Sequence, residues 1–213
     1  MSHGSKTYCY DYPRPAVTVD LVLFGLDEDV LKVLLIKRKH DPFANHWAFP
    51  GGFLEIEEPL ETAVRRELRE ETGLDFHGPL APIGVFAEPN RDPRGRTISV
   101  AYAAVIRPTL PHVDGGDDAA EAAWLPFKSV SPLAFDHEEI LCSAVKWLCS
   151  AVVYEDKAAD MLPRVFSMAD LKLLLRALGP VARSASACRN QLVRRGVIEP
   201  VPRKADTYRS RVR

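Results

Sequence analysis

The sequence predicts an α/β domain followed by a small winged helix-turn-helix module. Three observations carry that reading: Val- and Leu-rich runs of strand length in the first half, a Glu- and Arg-rich helical segment set among them, and a reversal of charge towards the C-terminus. Residues 1–163 hold 16 Lys and Arg against 26 Asp and Glu, a net −10, whereas residues 164–213 hold 12 against 3, a net +9. A basic block on an acidic body suggests two modules with different partners. The division is placed within Tyr154–Pro163, where acidic and small residues end at a proline, giving domains 1–155 and 156–213.

The strands come first. Ala16–Leu26 and Val30–Lys37 flank the turn Asp27–Asp29 and read as a hairpin. Further strand-like runs are Pro82–Ala87, Thr97–Arg107 and Ala122–Leu125, and TISVAYAAVIR alternates enough for a half-buried strand. A helix is expected from Asp136 as N-cap, with Glu139 completing a capping box, to about Val152. In the tail, Ser167 and Asp170 form a second capping box before Leu171, Leu173, Leu174, Leu175 and Leu178, and Gly179-Pro180 stops that helix. A last helix over Ser184–Arg195 turns Ala185, Cys188, Leu192 and Val193 inward, and Val197–Glu199 with Thr207-Tyr208 make a small wing.

With 46% apolar and 27% charged residues, the chain has an ordinary globular composition. No apolar run is long enough for a bilayer, and the N-terminus lacks an apolar h-region. Cys9, Cys142, Cys149 and Cys188 show no C-x-x-C pairing; they read as reduced, mostly packing thiols of a cytoplasmic protein.

The central helix spans Pro59 to Thr72: Pro59 suits a first turn, and Gly73 supplies the stop. At 3.6 residues per turn, Leu60, Ala63, Val64 and Leu68 form the inward stripe. Glu67 and Glu71 fall inside it and Glu70 at its edge, while Arg65, Arg66 and Arg69 lie opposite. Three carboxylates turned inward repel one another and resist desolvation, so a cation should compensate them. Oxygen donors of this kind suit Mg²⁺ or Mn²⁺ rather than Zn²⁺.

The segment around that helix, GFLEIEEPLETAVRRELREETGL, satisfies G-x5-E-x7-R-E-U-x-E-E-x-G-U (U apolar) at Gly52, Glu58, Arg66, Glu67, Leu68, Glu70, Glu71, Gly73 and Leu74. Here the chain resembles the Nudix hydrolases, enzymes that cleave a diphosphate linked to another moiety. The resemblance implies an α/β/α sandwich around a mixed sheet. It also implies metal ligands at Glu67, Glu70, Glu71 and a carbonyl at Gly51 or Gly52, with Arg66 holding a motif glutamate such as Glu58 in place. Paired glycines allow that close approach. Trp47 and Phe49, just upstream, read as core residues.

The loop Asn90–Arg96 carries three arginines with Pro93 and Gly95, a composition suited to phosphate or to a solvated turn. Its context, R-D-P-R-G-R-T-x-S-x-A-Y, resembles the ADP-ribose pyrophosphatases of the superfamily. That implies a nucleoside diphosphate-linked substrate, bound by Arg94 and Arg96, with Arg38 reaching phosphate from its strand. The general base is a motif glutamate or a carboxylate of the later loop, where Asp114, Asp117, Asp118 and Glu121 are available. Glu121 is favoured because it borders a strand that would carry it towards the metal.

The tail and the stretch AFDHEEIL resemble Nudix-related transcriptional regulators of NAD and sugar metabolism. That implies double-stranded DNA as a partner, contacted by Arg189, Arg194 and Arg195 on the second helix and by Arg203 and Lys204 near the wing tip. Such modules act in pairs, so a homodimer through the first domain is expected. Two functions stand side by side: a metal-dependent hydrolase of ADP-ribose or a related compound, and a ligand-sensing regulator. Retention of all the motif acids favours catalysis.

Overall fold

The computed structural model describes residues 9–27, 29–179 and 184–211. Glu28 of the expected turn, Pro180 of the expected helix stop and the first residues of the N-terminus fall outside that range.

Seven strands build one sheet. The hairpin forms as expected: β1 (Ala16–Asp27) and β2 (Val30–Arg38) pair antiparallel from Phe24↔Val33 to Asp27↔Val30. They then part. The N-terminal half of β1 pairs with β4 (Gly51–Phe53), and the far half of β2 with β3 (Trp47–Ala48), while β7 (Ala119–Pro126) pairs with β2 from Lys32 to Arg38. β1 runs parallel to β6 (Thr97–Ile106), which pairs antiparallel with β5 (Ala81–Phe86), so the sheet is mixed. The fork between β1 and β2 holds the short β3 and β4, and it is this opening that makes room for a site.

Both faces of the sheet are covered, which is why its central strands read as continuous apolar runs. Val19, Leu21 and Leu23 pack with Ala63, Val64 and Leu68 of α1 (Leu60–Thr72) on one side. Val22 and Phe24 pack with Ile140, Ala144 and Leu148 of α2 (His137–Tyr154) on the other. This is the expected α/β/α sandwich. Two caps differ from expectation. Pro59 stands one position earlier, as N-cap, its carbonyl accepting from Thr62 and Ala63. Asp136 does begin α2, but its side chain makes no cap; Arg91 takes the carboxylate instead.

After α2 come the four-residue α3 (Ala158–Met161), then β8 (Val165–Ser167), α4 (Met168–Leu178), α5 (Ala185–Arg194), β9 (Ile198–Pro200) and β10 (Thr207–Ser210). The Ser167–Asp170 capping box is present, and Ser184 caps α5 through the Ala187 N–H. The wing is three-stranded, because β8, unexpected from sequence, adds to β10 opposite β9. Val193, expected inward, is exposed. The apolar cluster beneath α2 runs on through Met161, Leu162, Phe166, Leu174, Leu192 and Tyr208, so the winged module shares its core with the sandwich. Cys188 is buried and Cys149 half-buried, while Cys9 and Cys142 are exposed, so only two of the four thiols pack. No described helix is long and apolar enough to cross a membrane.

Candidate active site

A cavity of about 240 Å³ opens at the fork of the sheet, between β1, β4, α1, the loop around residues 91–94 and the start of α2. Glu67, Glu70 and Glu71 all line it. Glu71 is buried, with Oε2 accepting from the Gly51 N–H at 2.8 Å. Burial pushes the Glu71 carboxyl well above the ordinary range, and burial also raises Glu67. The close approach explains the glycine at 52: a Cβ there would overlap the Glu67 carboxylate.

Arg66 lies at the heart of this cluster, which corrects its assignment to the outward face. Its long stem brings the guanidinium back to the acids. It bonds Glu58 at 2.6 and 3.1 Å, Glu67 at 2.8 Å, Glu70 at 3.1 Å and the Phe53 carbonyl at 3.0 Å. The bond from Arg66 holds the Glu58 carboxyl below the usual carboxylate range. One cation thus orders three motif glutamates.

The arginines of the loop have three different partners. Arg94 lines the cavity, tethered to Asp92 through Nη2 at 2.7 Å and Nε at 3.0 Å. Arg91 lines the cavity too, but is buried and grips Asp136 at 2.6 and 2.8 Å. Arg96 does not reach the cavity; it is exposed and donates to the Ala87 carbonyl at 2.6 Å. Arg38 lines the cavity, its Nε donating to the Pro42 carbonyl at 2.8 Å. Burial foremost, with Arg94 nearby, lowers its affinity for its proton.

Glu121 is not carried to the cavity. It pairs across the sheet with Lys37, 3.9 Å away, and is exposed. The strand that was expected to deliver it holds it beside β2 instead. From the same loop, Asp117 and Asp118 line the cavity.

Sequence reasoning missed the floor of the site. Asp20, buried on β1, accepts from Ser99 and faces His137 Nε2 at 3.4 Å. His137 Nδ1 accepts the Phe49 N–H at 3.0 Å, so the ring proton sits on Nε2 and points at Asp20. Burial keeps this histidine below its ordinary value, that is, neutral. These partners are 79 and 88 residues apart in the chain, and no local pattern signals them.

At the other end, Arg189, Arg194, Asn190, Pro200 and Tyr208 line an open groove between α5 and the wing. Arg189 Nη1 donates to the Tyr208 hydroxyl at 2.8 Å. Arg203 and Lys204 are exposed in the turn between β9 and β10. Arg195 lies outside the groove lining: its Nε meets Asp156 at 2.8 Å and Nη1 the Tyr154 carbonyl at 3.1 Å, anchoring α5 to the end of α2.

The NUDIX domain pattern matches residues 14–147, more than half of the chain and all of the cavity. This chain belongs to the Nudix family. An ADP-ribose pyrophosphatase of Methanocaldococcus jannaschii is 43% identical over 136 residues, covering 64% of this chain and 76% of that protein. An ADPR responsive transcriptional repressor, NtrR, of Acinetobacter baylyi is 30% identical over 193 residues, covering 89% of this chain and 76% of that one. Structures of Shewanella oneidensis NrtR are also similar. Its NUDIX domain complexed with ADP ribose aligns with a TM-score of 0.60 at 32% identity, covering 65% of this chain and 94% of that one. NrtR complexed with a 27mer DNA aligns with a TM-score of 0.75 at 24% identity over 92% and 93% of the two chains, a likeness of fold that takes in the winged module.

Nudix hydrolases generally use divalent metals. The donors of this Nudix domain fit one chemically: the carboxylates of Glu67, Glu70 and Glu71 line one cavity beside Gly51 and Gly52, and oxygen donors suit Mg²⁺ or Mn²⁺. Burial disfavours ionisation of Glu67 and Glu71, and a dication would relieve that deficit. Among the described residues no three His, Cys, Asp or Glu side chains already surround one point as a cage, and Arg66 supplies the countercharge.

Proposed function

We propose that this protein is a Mg²⁺- or Mn²⁺-dependent hydrolase of the diphosphate in ADP-ribose or a related nucleoside diphosphate sugar. The observation that carries it is the convergence of Glu67, Glu70 and Glu71 on one cavity with Arg38 and Arg94. In this reading the three carboxylates and the Gly52 carbonyl would hold the metal, which when bound would supply Lewis-acid chemistry to the diphosphate and to an attacking water. The Gly51 N–H fixes the orientation of Glu71, and Arg66 orders Glu67, Glu70 and Glu58, as outer contacts do for metal ligands. Arg38 and Arg94 bind and orient the diphosphate. Asp117 or Asp118, in the position once expected of Glu121, accepts the proton of the water. With ADP-ribose the products are AMP and ribose 5-phosphate. Likeness to the Methanocaldococcus pyrophosphatase supports the substrate class.

A second activity is favoured by the groove between α5 and the wing and by likeness to the Acinetobacter repressor across most of the chain. In it, Arg189, Arg194, Arg203 and Lys204 contact operator DNA, and a homodimer presents two such modules to half-sites one turn apart. Hydrolysis over a panel of nucleoside diphosphate compounds with Mg²⁺, run beside gel shifts at defined salt, separates the two. Turnover without DNA affinity leaves the enzyme alone; DNA affinity relieved by ADP-ribose without turnover leaves the sensor.

A further inference from the structure

We propose that the cavity mouth carries a stacking slot for the flat base of the ligand, formed by Phe53 and Phe135 and filled in this structure by the Arg94 guanidinium. This rests on the reading that the ligand is a nucleoside diphosphate. The cavity, about 240 Å³, is below the roughly 300–1,000 Å³ that encloses a whole small ligand. It accommodates the diphosphate beside the glutamates, so one end of a nucleoside diphosphate sugar must extend past the mouth.

The mouth is aromatic. Phe53 follows Gly51-Gly52 directly, is held by pairing with Thr18, and stays 46% exposed. Phe135 has a φ of 52°, a left-handed conformation that bulky residues rarely adopt. It persists because both neighbours are pinned: the Ala134 N–H bonds the Trp47 carbonyl at 2.8 Å, and Arg91 grips Asp136. Strain held in place by its surroundings is characteristic of ligand clamps. The result sets the Phe135 ring against Phe43, 4.8 Å between centroids, beneath the guanidinium of Arg38 at 4.9 Å.

Arg94 touches both rings, its guanidinium carbon 5.1 Å from the centroid of Phe53 and 5.7 Å from that of Phe135. A guanidinium is flat and stacks on aromatic faces, so its place over both rings marks where another flat group fits. A nucleobase fills such a slot with more area and no charge to desolvate. When it enters, Arg94 turns on its Asp92 tether towards the diphosphate, which is where a cation is needed.

Calorimetric titration in Mg²⁺ with α,β-methylene ADP-ribose, which resists cleavage, and with inorganic pyrophosphate, which has no base, tests the slot. Phe53→Ala changes an exposed side chain, and Phe135→Leu keeps an apolar group beside Phe43. Each should weaken the nucleotide roughly five- to hundredfold, the scale of a lost base–aromatic stack, and leave pyrophosphate within about twofold. Phe135→Trp should keep nucleotide affinity, with its indole fluorescence quenched on binding. Unchanged nucleotide affinity in both Phe53→Ala and Phe135→Leu, or an equal loss for pyrophosphate, overturns the slot and leaves the nucleotide site standing. A wild-type protein that binds pyrophosphate but no nucleotide overturns both.

Discussion

Replacing Arg66 by Met removes one guanidinium and leaves three acids and a carbonyl without it. The Arg66 side chain is 18% exposed, and Glu58 and Glu67, its nearest partners, are 10% and 14% exposed, so water compensates them poorly. Glu70 is 38% exposed and its share is small. Charge-assisted hydrogen bonds are worth about 1.5–3 kcal/mol each, and breaking a buried pair costs about 3–5 kcal/mol. Partial exposure puts the total near the lower end, about 3 kcal/mol. For a chain of this size that corresponds to a fall in Tm of roughly 6–12 °C. Urea unfolding of the metal-free protein measures it. If Arg66 orders the metal ligands, Mg²⁺ should add less stability to Arg66→Met than to the wild type, because Glu67 and Glu70 are no longer held in place. A variant within about 0.5 kcal/mol of wild type, the range of an ordinary surface change, would refute the reasoning.

Arg94→Ala should raise KM or weaken ligand binding by about 1.5–3 kcal/mol, the value of a charge-assisted contact, whereas Arg96→Ala, which lies off the cavity, should leave kinetics near wild type. His137 is neutral when folded, so the sign of its pH dependence is fixed: below about 6.5 the unfolded chain takes up a proton that the native chain refuses, and stability falls as pH drops through that range. Unfolding free energies at several pH values from 5 upward should lose that part of the slope in His137→Gln. Charge reversal at Arg194 and Arg203 together should abolish DNA binding at low salt, where phosphate contacts are strongest, and leave hydrolysis intact. Arg195→Ala, whose guanidinium is occupied by Asp156, should cost DNA affinity less than Arg194→Ala in the same gel shift.

The central helix and its glutamates were legible because a helical period and a fixed motif coincide there, and the hairpin because two apolar runs flank a short turn. β3, β4 and β8 were not, since two or three residues cannot display a period. Arg66 was misplaced because a helical projection places Cα atoms, while a long side chain returns its charge across the helix. Glu121 was misjudged for a different reason: loop and strand compete for it, and cross-strand pairing with Lys37 wins. The floor formed by Asp20, Ser99 and His137 joins β1, β6 and α2, and such pairings exist only once the sheet is assembled. Asp136 shows the same effect in reverse, a good local cap overruled by a buried arginine 45 residues away.

The most direct test is steady-state hydrolysis of ADP-ribose with Mg²⁺ by the wild type and by Glu71→Gln. Gln can still accept the Gly51 N–H and removes the buried charge, so the metal-free variant should be no less stable than wild type. Its kcat should nevertheless fall by orders of magnitude, the scale of losing a major electrostatic contribution. The account predicts AMP and ribose 5-phosphate from the wild type, near-silence from the variant, and no turnover by either in EDTA. Equal turnover by the two proteins, or wild-type turnover that survives EDTA, would contradict it.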